Sequence, residues 1–143
     1  MIQEKIKKII TRPMVTVTQG TSLLNAVKLM ASQGIGSVII VDNQGKPIGI
    51  FTERDLLMAI ARGESTNTSI EKIATIGKLI TVNEEDSVGK AAKLMHEHNI
   101  RHLVVVNQEG AAVGVISIRD IISEKHLLSA ISSEPGDEWV GGD

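Results

Sequence analysis

Cysteine is absent from the 143 residues, and the aromatic side chains are one Phe and one Trp, with no Tyr. The first absence removes thiol nucleophiles, disulfides and cysteine-based zinc sites together, and it suits a reducing cytoplasm. The second removes the stacking platforms on which single-strand binders hold bases, so a base bound here must lie between aliphatic side chains. Charge of one sign is lacking too: 15 basic against 17 acidic residues leave a net charge of −2. Nothing concentrates the positive charge that neutralises nucleic-acid phosphates, which argues against a nucleic-acid partner. No wholly apolar run exceeds a handful of residues, and Met1-Ile2-Gln3-Glu4-Lys5 carries no apolar signal region. Neither a membrane span nor export is supported, and a cytoplasmic location is expected.

What is present is apolar material, 42% of the chain, enough for a real core. It is arranged as a repeat. Shifted by 65 residues, Met14 to Leu57 align without a gap on Leu79 to Ile122, and 13 of the 44 pairs are identical, among them Thr16/Thr81, Val17/Val82, Met30/Met95, Gly49/Gly114 and Asp55/Asp120. A match this long is a structural duplication. With a slip of two residues, Glu4-Lys5-Ile6 further echoes Glu71-Lys72-Ile73.

Period and punctuation divide each unit into elements. Residues 3–10 read as a short helix ending ahead of Pro13. Val15–Val17 form a short strand, and Thr21 caps a helix whose apolar positions Leu23, Ala26, Val27 and Met30 fall at helical spacing. In the second unit Asp86 is the cap and Val88, Ala91, Ala92 and Met95 form the stripe. Gly34 and Asn99 close these helices, both residues that tolerate the left-handed conformation. The continuous runs Ser37–Val41 and Leu103–Val106 suit strands covered on both faces. The turn sequences around Gly45 and Gly110 then make hairpins. Each unit is thus β-α-β-β-α. Units of this size are marginal alone, so the two are expected to pack on each other. The division reads as 1–63, 64–131 and an acidic, turn-rich tail at 132–143, interrupted by Trp139 and Val140.

The stretch that repeats with most chemistry is Gly49-Ile50-Phe51-Thr52-Glu53-Arg54-Asp55, matched by Gly114-Val115-Ile116-Ser117-Ile118-Arg119-Asp120. In each, a strand runs straight into a helix, with a hydroxyl at the junction and a carboxylate three positions on. One reading is a capping box. The other is a ligand site, since a helix start exposes backbone donors and a hydroxyl with a carboxylate can grip a sugar diol. Capping boxes are common, which favours the first for one copy; the duplication weighs toward the second.

Other signals fall away. His96 and His98 stand two apart and face different sides of a helix, and zincin spacing would need His where Ile100 stands. His126 has no partner in sequence. Gly45-Lys46 lacks the upstream Gly of a phosphate-binding loop, and no hydrolase elbow is present. Neither a catalytic residue nor a metal site is expected.

The paired Thr-Val dipeptides, the Ala-x-x-x-Met of residues 26–30 and 91–95, the valine-rich strands with Gly45 and Gly110, and the repeated Gly-to-Asp stretches resemble a tandem cystathionine β-synthase (CBS) domain pair, or Bateman module. The resemblance covers about residues 3–130. It implies an α/β (α+β) fold of two CBS repeats packed about a pseudo-twofold axis, two clefts between them, adenosine-containing ligands such as AMP, ADP, ATP or S-adenosylmethionine, and a homodimer. It further implies that a ligand with its ribose on one unit's Asp extends its phosphates toward the other unit's basic residues. Thr52 and Asp55 are therefore paired with Arg101, His102 and Arg119 in the stronger site, and Ser117 and Asp120 with Arg54 in a weaker one, where Gly36 and Ser37 stand in place of Arg101 and His102. Val15, Val17, Ile80 and Val82, with Ile35 and Ile100, are the candidate aliphatic walls for adenine or, equally, core, and Thr16 and Thr81 beside them are further candidate binding residues. The expected function is a non-enzymatic, nucleotide-responsive regulatory module acting on a separate effector protein. The alternative is a ligand-free assembly module with vestigial clefts.

Overall fold

The computed structural model describes residues 4–10, 14–77 and 79–122. The expected tail at 132–143, His126 and Trp139 lie outside the described residues.

The first repeat runs β1 (Thr16–Thr18), α1 (Leu23–Gln33), β2 (Ser37–Val41), β3 (Pro47–Thr52) and α2 (Glu53–Ala61); β4 (Thr75–Ile76) follows. The second runs β5 (Thr81–Asn83), α3 (Val88–His98), β6 (His102–Val106), β7 (Ala112–Ser117) and α4 (Ile118–Ile121). The two sheets have the orders β1-β2-β3-β4 and β5-β6-β7. In each, the first strand pairs parallel to the second and the hairpin pairs antiparallel, and the register Thr16 on Ile39 recurs as Thr81 on Val104. The fold is the mixed α+β architecture expected.

Strand period explains why the middle strands are apolar without interruption. Alternate residues of a strand face opposite sides. Val38 and Ile40 of β2 join α1 and Phe51 in one core, while Ile39 and Val41 join Ile50 and Val104 in another. In β6, Leu103 and Val105 pack under α3, and Val104 enters that shared layer. Each sheet therefore has its helices on one face and the other sheet on the opposite face. The repeats meet through Ile39, Val41, Ile50, Val104 and their neighbours Leu79, Val106, Ala112 and Val115.

Helix ends follow local hydrogen bonding. Gly34 (φ 63°) and Asn99 (φ 52°) both terminate their helices in the left-handed region, as expected. The helix starts fall one residue later than expected: Ser22 and Ser87, not Thr21 and Asp86, cap α1 and α3, each hydroxyl accepting from the N–H three residues on at 3.1 Å. Asp86 instead accepts from the Asn83 N–H at 3.0 Å and closes the preceding turn. The first strand is likewise shifted from Val15–Val17 to Thr16–Thr18.

The segments leading into the repeats exchange places. Ile6 is fully buried in the second repeat's core, and Ile70 in the first's. The Leu23 N–H donates to the Thr68 carbonyl at 2.8 Å, and the Val88 N–H to the Glu4 carbonyl at 2.7 Å. These bonds satisfy donors that the first turn of a helix leaves free. Both lead-ins form a short 3-10 turn, Ile6–Lys8 and Ile70–Lys72. Within the helix expected at residues 3–10, the described residues 4–10 hold only this single tight turn, and Ile6 corresponds to Ile70, not to Ile73 as the two-residue slip had it.

Candidate functional site

Two clefts open where the repeats meet. The larger, of about 830 Å³, is lined by Thr52, Arg54 and Asp55 from the first repeat and by Leu79, Ile80, Ile100, Arg101 and His102 from the second. The smaller, of about 180 Å³, is lined by Ser117, Arg119 and Asp120 from the second repeat and by Met14, Val15, Ile35, Gly36 and Ser37 from the first. Shifting either set by 65 residues produces the other, so the clefts are related by the same pseudo-twofold as the repeats. The pairing of Asp55 with Arg101 in one crevice is present.

Both repeated motifs are capping boxes and cleft linings at once. Asp55 Oδ2 accepts from the Thr52 N–H at 2.9 Å and from the Thr52 hydroxyl at 3.2 Å, and the Asp55 N–H donates back to that hydroxyl at 3.4 Å. Asp120 Oδ2 accepts from the Ser117 N–H at 2.7 Å and hydroxyl at 3.0 Å, with the return bond at 3.3 Å. The two readings of the motif therefore do not compete. The cap occupies Oδ2 of each carboxylate, and Oδ1 takes no hydrogen bond from the described residues. A carboxylate held this way is a pre-aimed acceptor, suited to a sugar hydroxyl.

The electrostatics follow from partial burial. Burial raises the pKa of Asp55 above its ordinary value, opposed by the Thr52 hydrogen bonds and by Arg54 and Arg62. Burial lowers that of His102, opposed by Glu53 and Asp120 and reinforced by Arg119 and Arg101. His102 is thereby pushed toward the neutral imidazole at neutral pH, where it donates or accepts a hydrogen bond rather than supplying a full charge.

Several sequence expectations change here. Arg54 and Arg119, each two residues past its helix cap, line the cleft of their own repeat's carboxylate, the reverse of the crossed assignment. Arg101 and His102 line both clefts. Ile35 and Ile100 are cleft walls, with Val15 and Ile80. Thr16, Val17, Thr81 and Val82 line neither cleft. Val17 and Val82 point into the two helix-covered cores, and Thr16 and Thr81 are exposed. The clefts open just ahead of β1 and β5, so the walls come from residues one or two earlier.

Glu53 was missed. It lines both clefts, and its backbone N–H donates to the Gly36 carbonyl at 3.0 Å. Its signal was available: it is the acidic partner of Ile118 inside the repeated motif. Thr75 and Leu79, from the exchanged lead-in, were also missed, and no local pattern marks them. Among the described residues no group of three metal-ligating side chains converges, and no helix is long and apolar enough to cross a membrane.

A sequence model of the CBS domain matches residues 6–62 and 69–127. An uncharacterized protein of Methanopyrus kandleri is 32% identical over 131 residues, covering 90% of this chain and 67% of its own length. The inosine-5′-monophosphate dehydrogenase of Aquifex aeolicus is 34% identical over 142 residues, but this chain spans only 28% of it. Among solved structures, a CBS domain protein of Pyrobaculum aerophilum complexed with AMP superposes with a TM-score of 0.80 at 31% identity, over 90% of this chain and 99% of that one. A CBS domain pair in complex with 5′-methylthioadenosine and S-adenosyl-L-methionine gives 0.77 at 30% identity, over 90% and 98%.

Proposed function

The chain belongs to the CBS domain family, and on that premise we propose that it is a non-enzymatic regulatory module, whose clefts take adenosine-containing ligands and whose response passes to a separate effector protein in the cytoplasm. The observation that carries this reading is the meeting of Thr52 and Asp55 with Arg101 and His102 in one crevice. An acceptor for ribose hydroxyls stands on one repeat and donors for a phosphate on the other, with Ile80 and Ile100 as aliphatic walls for a base. A ligand spanning the crevice touches both repeats, so its binding energy can bias their packing. The volume of about 830 Å³ lies within the range of small-molecule sites, roughly 300–1,000 Å³. The smaller cleft falls below that range, which supports unequal sites. Relatives solved with AMP and with S-adenosyl-L-methionine support the adenosine class.

Calorimetry of Arg101→Ala tests the assignment. A charge-assisted hydrogen bond contributes about 1.5–3 kcal/mol, so AMP affinity should fall roughly 10- to 150-fold while adenosine affinity changes little. Equal losses for the two ligands would remove the phosphate role. A thermal-shift panel of AMP, ADP, ATP, S-adenosylmethionine and NAD identifies the preferred ligand, because a binder of the native state raises Tm.

A second reading, assembly through helix faces, is favoured by the exposure of Leu57 (67%) and Ile60 (60%) on α2 and Ile122 (55%) beyond α4. Apolar surface of this kind is suited to a homodimer contact. Ile60→Glu should convert a dimer to a monomer by light scattering with the melting temperature of the fold retained in the monomer. A wild type that is itself monomeric at high concentration would sink that reading.

A further inference from the structure

The two clefts are not separate at their charged ends. Glu53, Arg101 and His102 line both. The pseudo-twofold would supply such a set twice, but the equivalents of Arg101, His102 and Glu53 are Gly36, Ser37 and Ile118, so only one exists. Glu53 is held at this junction by its own backbone. Its N–H bonds the Gly36 carbonyl, and its Oε1 lies so near Gly36 that a Cβ added there would stand 3.2 Å away. The same groups act on the His102 imidazole: besides burial, which disfavours its charged form, the charges of Glu53 and Asp120 favour protonation and those of Arg119 and Arg101 oppose it.

We infer that the two clefts compete for this one junction, so that the chain holds a single 5′-phosphorylated adenosine ligand at a time and leaves its other cleft to an adenosine derivative without a phosphate. The inference rests on the proposed function and adds the class of the second ligand. With His102 near neutral, Arg101 is the fixed positive charge among the three, set against Glu53. A phosphate arriving from either side takes Arg101. A second phosphate then faces the first and the Glu53 carboxylate, while the arginine that would offset both is already engaged. Arg54 and Arg119, each confined to one cleft, let either cleft bind a phosphate when the other is empty. An uncharged ligand meets no such conflict. The volumes place the phosphorylated ligand in the Asp55 cleft and the smaller one in the Asp120 cleft.

The test compares single-cleft and two-cleft affinities by calorimetry. Asp120→Asn isolates the Asp55 cleft and Asp55→Asn the Asp120 cleft, each substitution keeping a side-chain oxygen for the helix cap. For adenosine, the product of the two single-cleft association constants should equal the overall two-step constant of the wild type. For AMP the wild type should fall short of that product by about tenfold or more, the scale of ordinary site-to-site coupling, or bind one AMP only. Adenosine added to AMP-saturated wild type should bind with the affinity measured in Asp55→Asn. Two AMP molecules bound with no shortfall would overturn the inference and leave the proposed function intact. No binding of AMP or adenosine to the wild type would overturn both.

Discussion

Replacing Gly49 with Ala puts a methyl group where β3 meets β4. Gly49 pairs with Ile76 and Ile50 with Thr75 in that ladder. A Cβ on Gly49 would stand 2.5 Å from the Thr75 carbonyl oxygen and would press on the Ile76 side chain as well. Ile76 is partly exposed and can swing aside, but Thr75 presents backbone, so β4 itself must shift. Overpacking of this kind costs about 1–3 kcal/mol. For a chain near 150 residues that lowers Tm by roughly 3–10 °C. Gly114 is the internal control, since among the described residues its added Cβ would meet only Ile10 side-chain carbons, at 3.1 and 3.4 Å, and a side chain can yield by that much. Calorimetric melts of Gly49→Ala, Gly114→Ala and Gly49→Ala with Ile76→Ala decide the matter. The first should melt well below wild type, the second close to it, and the double variant should not recover. Because Thr75 also lines the Asp55 cleft, ligand affinity there should weaken in step. Equal melting of the two glycine variants, or full recovery on trimming Ile76, would show that backbone contact is not the obstacle.

The Asp55 carboxyl, raised by burial from its ordinary 3.8, favours the folded state when protonated. Its contribution is present below the unfolded value and is lost as pH rises through the higher folded value. Asp55→Asn cannot titrate, so its Tm relative to wild type should improve from pH 3 toward neutrality even as ligand binding fails; a gap independent of pH would refute this. At the surface, Lys7 and Lys5 hold Glu85 at about 2, against an ordinary 4.5. That depressed value contributes stability above the unfolded pKa and loses it as acid is added from about 4.5 toward 2. Glu85→Gln should flatten this limb of the acid-unfolding curve by a small amount. The difference should vanish in roughly 1 M salt, where the screening length is about 3 Å; a salt-independent difference would point to packing instead.

Much of the architecture was legible because its causes are local or repeat. The unbroken β-branched run within Ser37–Val41, period 3.6 in the α1 stripe, left-handed tolerance at Gly34 and Asn99, and the hairpin turns each depend on a few neighbouring residues. The 65-residue duplication then carried one unit's reading to the other. Even the errors at the helix starts were of one residue, where two adjacent polar side chains could serve and the serine hydroxyl is the one that accepts from the helix N–H.

The chain alone therefore determined the two repeats, their elements and the paired Asp55 and Asp120 caps. Tertiary structure alone decided that Ile6 and Ile70 exchange cores, that Val17 and Val82 are buried while Val15 and Ile80 face the clefts, and that each arginine stays with its own carboxylate. It also made Glu53, Arg101 and His102 common to both clefts. Hydrogen-bonded turns and side-chain period act within a few residues, whereas cleft membership depends on how one sheet is set against the other, and that setting comes from the shared layer of Ile39, Ile50 and Val104, residues that no local pattern distinguishes from the rest of the core.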